Sequence, residues 1–202
     1  MERLIFKNER GVSIELGNAY PFILTKIENT GAPDANIIST KAPRQDGTSY
    51  HGTTLEPRTL PIYGTIVAND ENDMYAKRKK LAGIFSPKLK GELIYENAAG
   101  EYRIGCVVEE GPTWGEQLGE MQDFLIQLYC PNPYWSNVYE SKTEVAIWRP
   151  LFEFPLEIDI DEGIEFGYRE PSLIAHIYND GDMETGMRIV FKALGTVVNP
   201  SL

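Results

Sequence analysis

Only two histidines, His51 and His176, and two cysteines, Cys106 and Cys130, stand in 202 residues. Nucleophilic catalysis by a Cys–His pair needs an exposed, activated thiol, and both cysteines fall inside apolar, strand-like runs. The chain has no G-x-S-x-G elbow, no H-E-x-x-H helix and no C-x-x-C pair. Two cysteines are too few for a disulfide framework, so they read as buried free thiols of a chain folded in a reducing compartment. Positive charge is also short: the formal net charge is −11. Phosphate neutralisation needs a basic stripe, and the single dense basic run, Lys77-Arg78-Lys79-Lys80, reads as the wet face of a helix. No apolar run approaches the ~18 residues of a membrane span. Met1–Lys7 shows no apolar segment ahead of a small-residue cleavage site, so no signal peptide is expected.

Acidic groups, by contrast, are plentiful, and the closest pairs are Asp159/Asp161, Glu109/Glu110 and Asp180/Asp182. A glycosidase needs two carboxylates facing across a cleft, which sequence proximity does not supply, so these read as solvated turn acids. Asp159-x-Asp161-x-Gly163 offers hard oxygens for Ca²⁺. Yet Gly163 takes a ligand position and Phe166-Gly167 breaks the pattern, so no metal site and no cofactor are expected.

Hydrophobicity is mostly of β period. Gly91–Glu96 and Tyr102–Glu109 flank Asn97-Ala98-Ala99-Gly100 as a hairpin. Phe124–Cys130 reads as a buried strand, and Thr59–Ala68 as a further one. Because Pro61 and Gly64 interrupt it, that last strand is expected at an edge or with a bulge. One helix is predicted over residues 70–86, capped by Asp70 with Asp73 three later, burying Met74, Leu81, Ile84 and Phe85, and stopped by Ser86-Pro87. The fold class is therefore mainly β, with one helix on a sheet face.

Glu28–Arg58 has little periodic hydrophobicity beyond a short strand candidate at Ile37-Ile38. A long loop in a compact domain is usually functional or disordered, and this one carries Arg44, Tyr50, His51 and Arg58. It reads as an arm that reaches a neighbour, with those four residues as candidate subunit contacts. Cys130-Pro131-Asn132-Pro133 ends a strand and marks a boundary: domain 1–135, then a second β unit, 136–202. Charge shifts there too, since residues 134–202 hold 5 basic and 12 acidic groups. Strands are expected at Glu144–Trp148, Phe152–Ile158, Leu173–Tyr178 and Met187–Ala193. Four strands make a thin sandwich that needs a continuation or a partner. Trp114, Trp135, Trp148 and Tyr168 lie near turns or strand ends, where an aromatic platform stacks on sugars, so a carbohydrate-binding module is the alternative function.

Several segments together carry a family resemblance. They are Ile27-Glu28-Asn29-Thr30-Gly31, Lys41-Ala42-Pro43-Arg44-Gln45-Asp46-Gly47, Tyr50-His51-Gly52 and Leu55-Glu56-Pro57-Arg58-Thr59, followed by Phe85-Ser86-Pro87-Lys88, Cys130-Pro131-Asn132-Pro133-Tyr134-Trp135 and Ile177–Asp182 with Thr185-Gly186. In order and spacing the chain resembles the distal tail proteins of long, non-contractile-tailed phages and prophages of Gram-positive bacteria. The resemblance implies a structural virion protein without enzymatic activity. Its N-terminal domain would be a tail-tube-like β-sandwich or barrel with one helix, assembling as a hexameric ring. A galectin-like sandwich would follow, here partial because 136–202 holds too few strands. Such a ring sits at the virion tail tip after assembly in the host cytoplasm. It joins the tail tube protein to the tail-associated lysin or fibre protein, and in some phages docks a receptor-binding protein.

Overall fold

The computed structural model describes residues 2–139, 142, 146–150, 167–171, 176–179 and 181–190. The chain divides into two compact units, Met1–Glu140 and Ser141–Leu202.

The first unit is built on strands β1 (Arg3–Asn8), β2 (Ser13–Leu16), β3 (Phe22–Ile27), β4 (Ala35–Thr40), β5 (Ser49–Leu55) and β6 (Arg58–Val67). Helix α1 (Glu71–Ile84) follows, then β7 (Lys90–Asn97), β8 (Gly100–Leu118), β9 (Met121–Cys130) and the short β10 (Ser136–Asn137). The main sheet runs β2-β1-β7-β8-β9-β6-β3, with β10 on β8, and every strand pair in it is antiparallel. Its two edges meet: Gly17 bridges Ile23, and Leu24 N–H donates to the Gly17 carbonyl at 2.7 Å. The sheet thus curls back on itself and encloses a core. Alternation supplies that core strand by strand, with Leu4 and Phe6, Ile14 and Leu16, Phe22 and Leu24, Leu60, Ile62 and Ile66, Leu93 and Tyr95, Ile104 and Val108, and Phe124, Ile126 and Leu128 all buried.

The helix forms where its caps and stripe predict. Asp70 adopts an extended conformation and accepts the Asp73 N–H at 2.8 Å, while Asp73 accepts from Asn69 N–H at 2.9 Å. Met74, Leu81 and Ile84 are buried, and Phe85 stacks on Phe6 with ring centroids 4.4 Å apart. The basic run divides. Lys79 and Lys80 are exposed, but Lys77 bonds Asp73 and the Val67 carbonyl, and Arg78 lies over Trp114 at 4.7 Å.

β6 corrects an expectation, because it lies inside the sheet and pairs in unbroken register with β9 from Arg58↔Cys130 to Val67↔Met121. N–H and C=O of one residue point to the same side of a strand. Pro61 C=O accepts from Glu28 N–H at 3.0 Å, so the missing donor falls on the side where β3 is ending and leaves the β9 ladder intact. The bulge sits in β3, between Leu24 and Lys26. Gly64 has a packing cause: a Cβ there would lie 2.4 Å from Phe124 Cζ. β8 is far longer than its apolar stretch, and three register shifts let it follow the shorter β9.

The first unit keeps Ser136 opposite Arg103 and Asn137 opposite Tyr102, so its sheet continues past residue 135. In the second unit β11 (Ala146–Pro150) pairs antiparallel with β12 (Gly167–Pro171), aligning Trp148 with Arg169 and Arg149 with Tyr168. The strand expected at Glu144–Trp148 therefore overlaps β11, displaced by two residues. The strand expected at Phe152–Ile158 lies outside the described residues, as do Asp159, Asp161 and Gly163. His176–Tyr178 and Met187–Val190 are not strands, which corrects the described parts of two expectations. Their apolar residues, Ile177, Tyr178, Met187, Ile189 and Val190, are exposed, so period-2 patterning there fills no sheet face.

Candidate oligomerisation surface

The stretch without clear periodicity is a β-hairpin. Among the described residues β4 and β5 pair only with each other, as a two-stranded sheet separate from the curled one. Ile37 faces Thr53 and Ile38 faces Gly52. Beyond them Ser39 faces Tyr50, which leaves His51 as the extra residue of a bulge. The base is closed by Glu56 N–H donating to the Asp34 carbonyl at 2.9 Å. The tip is ordered by Gln45, whose N–H reaches the Ala42 carbonyl at 3.1 Å and whose Oε1 accepts from Ala42 N–H at 2.9 Å. Arg44 and Gly47 take left-handed backbone conformations, φ 66° and 77°.

Both faces of this arm are open. Every residue of β4 is exposed, and in β5 only Gly52 and Leu55 are even partly covered. Ile37 is 64% exposed, Ile38 48% and Tyr50 66%. Directly opposed residues share a face. Ile37, Tyr50 and Leu55 therefore line one face, and Ile38 and His51 the other. Local bonds hold the polar groups: His51 Nε2 is 2.7 Å from Thr40 Oγ1, and Tyr50 OH is 2.8 Å from Thr53 Oγ1. Isolated two-stranded hairpins are at best marginally stable in water, and two unpaired edges are templates for another chain.

Of the four candidate contacts, three are on the arm: Arg44 at the tip, with Tyr50 and His51 on β5. Arg58 is not a surface contact; it is 6% exposed and opens β6. Its Nη1 donates to the Asn29 carbonyl at 3.1 Å and the Gly31 carbonyl at 2.8 Å, while Asn29 Nδ2 donates to the Thr59 carbonyl at 2.9 Å. Asn29 is itself left-handed, φ 59°. Arg58 thus clamps the chain where it leaves β3 for the arm, and burial lowers its pKa from the ordinary arginine value. The apolar residues Ile37 and Ile38 are legible in the sequence only as a short strand; their exposure is what singles them out.

The described residues place several of the side chains considered for chemistry. No group of three His, Cys, Asp or Glu side chains lies close enough to hold a metal ion there. Glu109 and Glu110 are strand residues, not turn acids, and accept from Thr59 Oγ1 and Gln127 Nε2. Trp135 packs on Tyr95 at 5.8 Å and Trp114 lies beneath Arg78, so packing absorbs two of the four platform aromatics.

The family described as phage tail protein RIFT-related domain matches residues 9–130, from β2 to the end of β9 and including the arm. The chain belongs to that family of phage tail proteins. Its fold is also like that of the Dit protein (gp 19.1) of phage SPP1, whose structure is titled a paradigm of the hub adsorption apparatus in phages infecting Gram-positive bacteria. The TM-score is 0.54 at 12% identity, over 72% of this chain and 54% of that one, so the likeness spans about half of the SPP1 protein. No curated protein matches.

Proposed function

We propose that this tail protein is the structural hub ring at the distal end of a phage tail. In this reading six copies close a ring through heterologous contacts, each arm reaching the next copy or an adjacent ring. The ring joins the tail tube protein to the tail-tip lysin or fibre protein, and offers a place for a receptor-binding protein. It works at the virion tail tip after assembly in the host cytoplasm. On this account residues 141–202 belong to a galectin-like unit. The observation that carries the reading is the hairpin β4–β5 on a tail-family barrel: it projects Ile37, Ile38, Tyr50 and Arg44 into solvent with both edges unpaired. The fold likeness to a hub protein supports the same assignment.

The test is mass by light scattering behind a sizing column at several concentrations, with negative-stain imaging of the heaviest species. An annular particle with an open centre supports the hub. A chain that remains monomeric at every concentration, alone and with the adjoining tail proteins, overturns it.

A further inference from the structure

The two free thiols lie side by side in a buried row. Val107 faces Tyr129 and Val108 faces Leu128 in the β8–β9 ladder, so one step further the register sets Cys106 opposite Cys130. On the outer flanks of the row, Gly91 of β7 faces Cys106 and Arg58 of β6 faces Cys130. Both cysteines are buried, 3% and 0% exposed. Opposed residues of an antiparallel pair have Cα atoms about 4.5–5.5 Å apart. Disulfides accept Cα separations of about 4.4–6.8 Å. The register therefore places the two residues within the range of Cα separations that a disulfide accepts.

We infer that Cys106 and Cys130 form a redox modification site, a latent cross-link between β8 and β9 that closes in an oxidising medium. The chemical partner is a small two-electron oxidant of the peroxide class, since nothing larger reaches a buried row without opening the barrel. Cys130 is the attacking sulfur. Arg58 stands opposite Cys130, and its positive charge favours the Cys130 thiolate, while burial holds Cys106 as the thiol. The Cys130 thiolate attacks one peroxide oxygen and becomes a sulfenic acid, and the departing hydroxide takes up a proton as water. Cys106 sulfur then attacks Cys130 sulfur, its proton leaving with the sulfenic hydroxyl as a second water. Two thiols and one peroxide give one disulfide and two waters.

The inference is independent of the ring reading, and its test needs no assembly. The full chain is treated with hydrogen peroxide, then denatured for intact mass and thiol titration. Because the chain holds only two cysteines, closure takes the free-thiol count from two to none. The mass falls by two hydrogens per chain, the protein stays monomeric on a non-reducing gel, and dithiothreitol reverses all three. The oxidised first unit unfolds at higher temperature, because the link constrains the unfolded chain. Cys130→Ser loses the mass change and keeps its remaining thiol, and Cys106→Ser stops at an oxygen adduct on Cys130. Retention of both thiols, addition of oxygen alone in the unmutated chain, or cross-linking between chains would each overturn the assignment.

Discussion

Gly64 of β6 and Phe124 of β9 are directly opposed, and the phenyl ring occupies the space above the glycine, where a Cβ would lie 2.4 Å from Cζ and 2.7 Å from the Ile23 carbonyl. Phe124 is 2% exposed and so has nowhere to swing. Gly64→Ala is expected to destabilise the first unit by about 1–3 kcal/mol through overpacking. Phe124→Leu on the same background recovers part of that loss, which a double-mutant cycle in denaturant unfolding measures. Additive losses would mean that the ring is not what requires the glycine.

Asp70 holds the helix N-terminus through a single side-chain bond to Asp73 N–H. Asp70→Ala should cost about 1 kcal/mol and Asp70→Asn only a fraction of that, because asparagine caps equally well. Thermal unfolding of the three chains checks the ranking.

Asp73 carries the sign of a pH dependence. The Lys77 ammonium and then the Asn69 N–H hold its carboxyl below the ordinary aspartate value. A carboxylate with a depressed folded pKa contributes stability that is fully present above the unfolded pKa, about 3.9. That contribution is lost as pH falls through the lower folded value. Below about pH 4 the first turn of α1 should therefore lose protection against amide exchange. Asp73→Asn should lower stability at neutral pH and flatten the acid limb; an acid limb unchanged in the variant would assign the effect elsewhere.

Arg58 is predicted to set the arm's direction. Arg58→Met keeps the stem and removes the donors to Asn29 and Gly31, at a cost of about 1–3 kcal/mol for the carbonyls left behind. Amide exchange should rise in residues 29–35 and along the arm, more than in β7 or β8. Uniform loosening would make Arg58 a general core residue.

How much of this was legible beforehand follows from where each residue finds its partner. The helix was readable because its cap, stripe and stop are all local: Asp70, Met74, Leu81 and Ser86-Pro87 lie within one stretch of chain. β7 and β9 were readable because their inward residues alternate with little interruption. The position of β6 was not, since Pro61 announces an edge and only the ending of β3 beside it makes an interior place tolerable. β1, β2 and β3 are short, and a buried Asn8 that accepts from Arg10 and Val12 N–H blurs their alternation. The arm escaped for the opposite reason. Both its faces are exposed, so no burial imposes a period, and Ser, Thr, Asn and Gly occupy positions that a half-buried strand would give to apolar residues. Its candidate contacts Arg44, Tyr50 and His51 could be named by residue type alone. Arg58 has the same composition signal, yet its partners are backbone carbonyls that no side-chain pattern reveals.

The account's central claim is that the arm joins copies of the chain, and one comparison tests it most directly. The intact chain and a chain lacking residues 44–52 are run side by side by light scattering and negative stain, with Ile37→Asp as a milder second variant. The account predicts rings from the intact chain and monomers from both variants, each unfolding at nearly the temperature of the intact first unit. Rings of the same size from all three chains would contradict it.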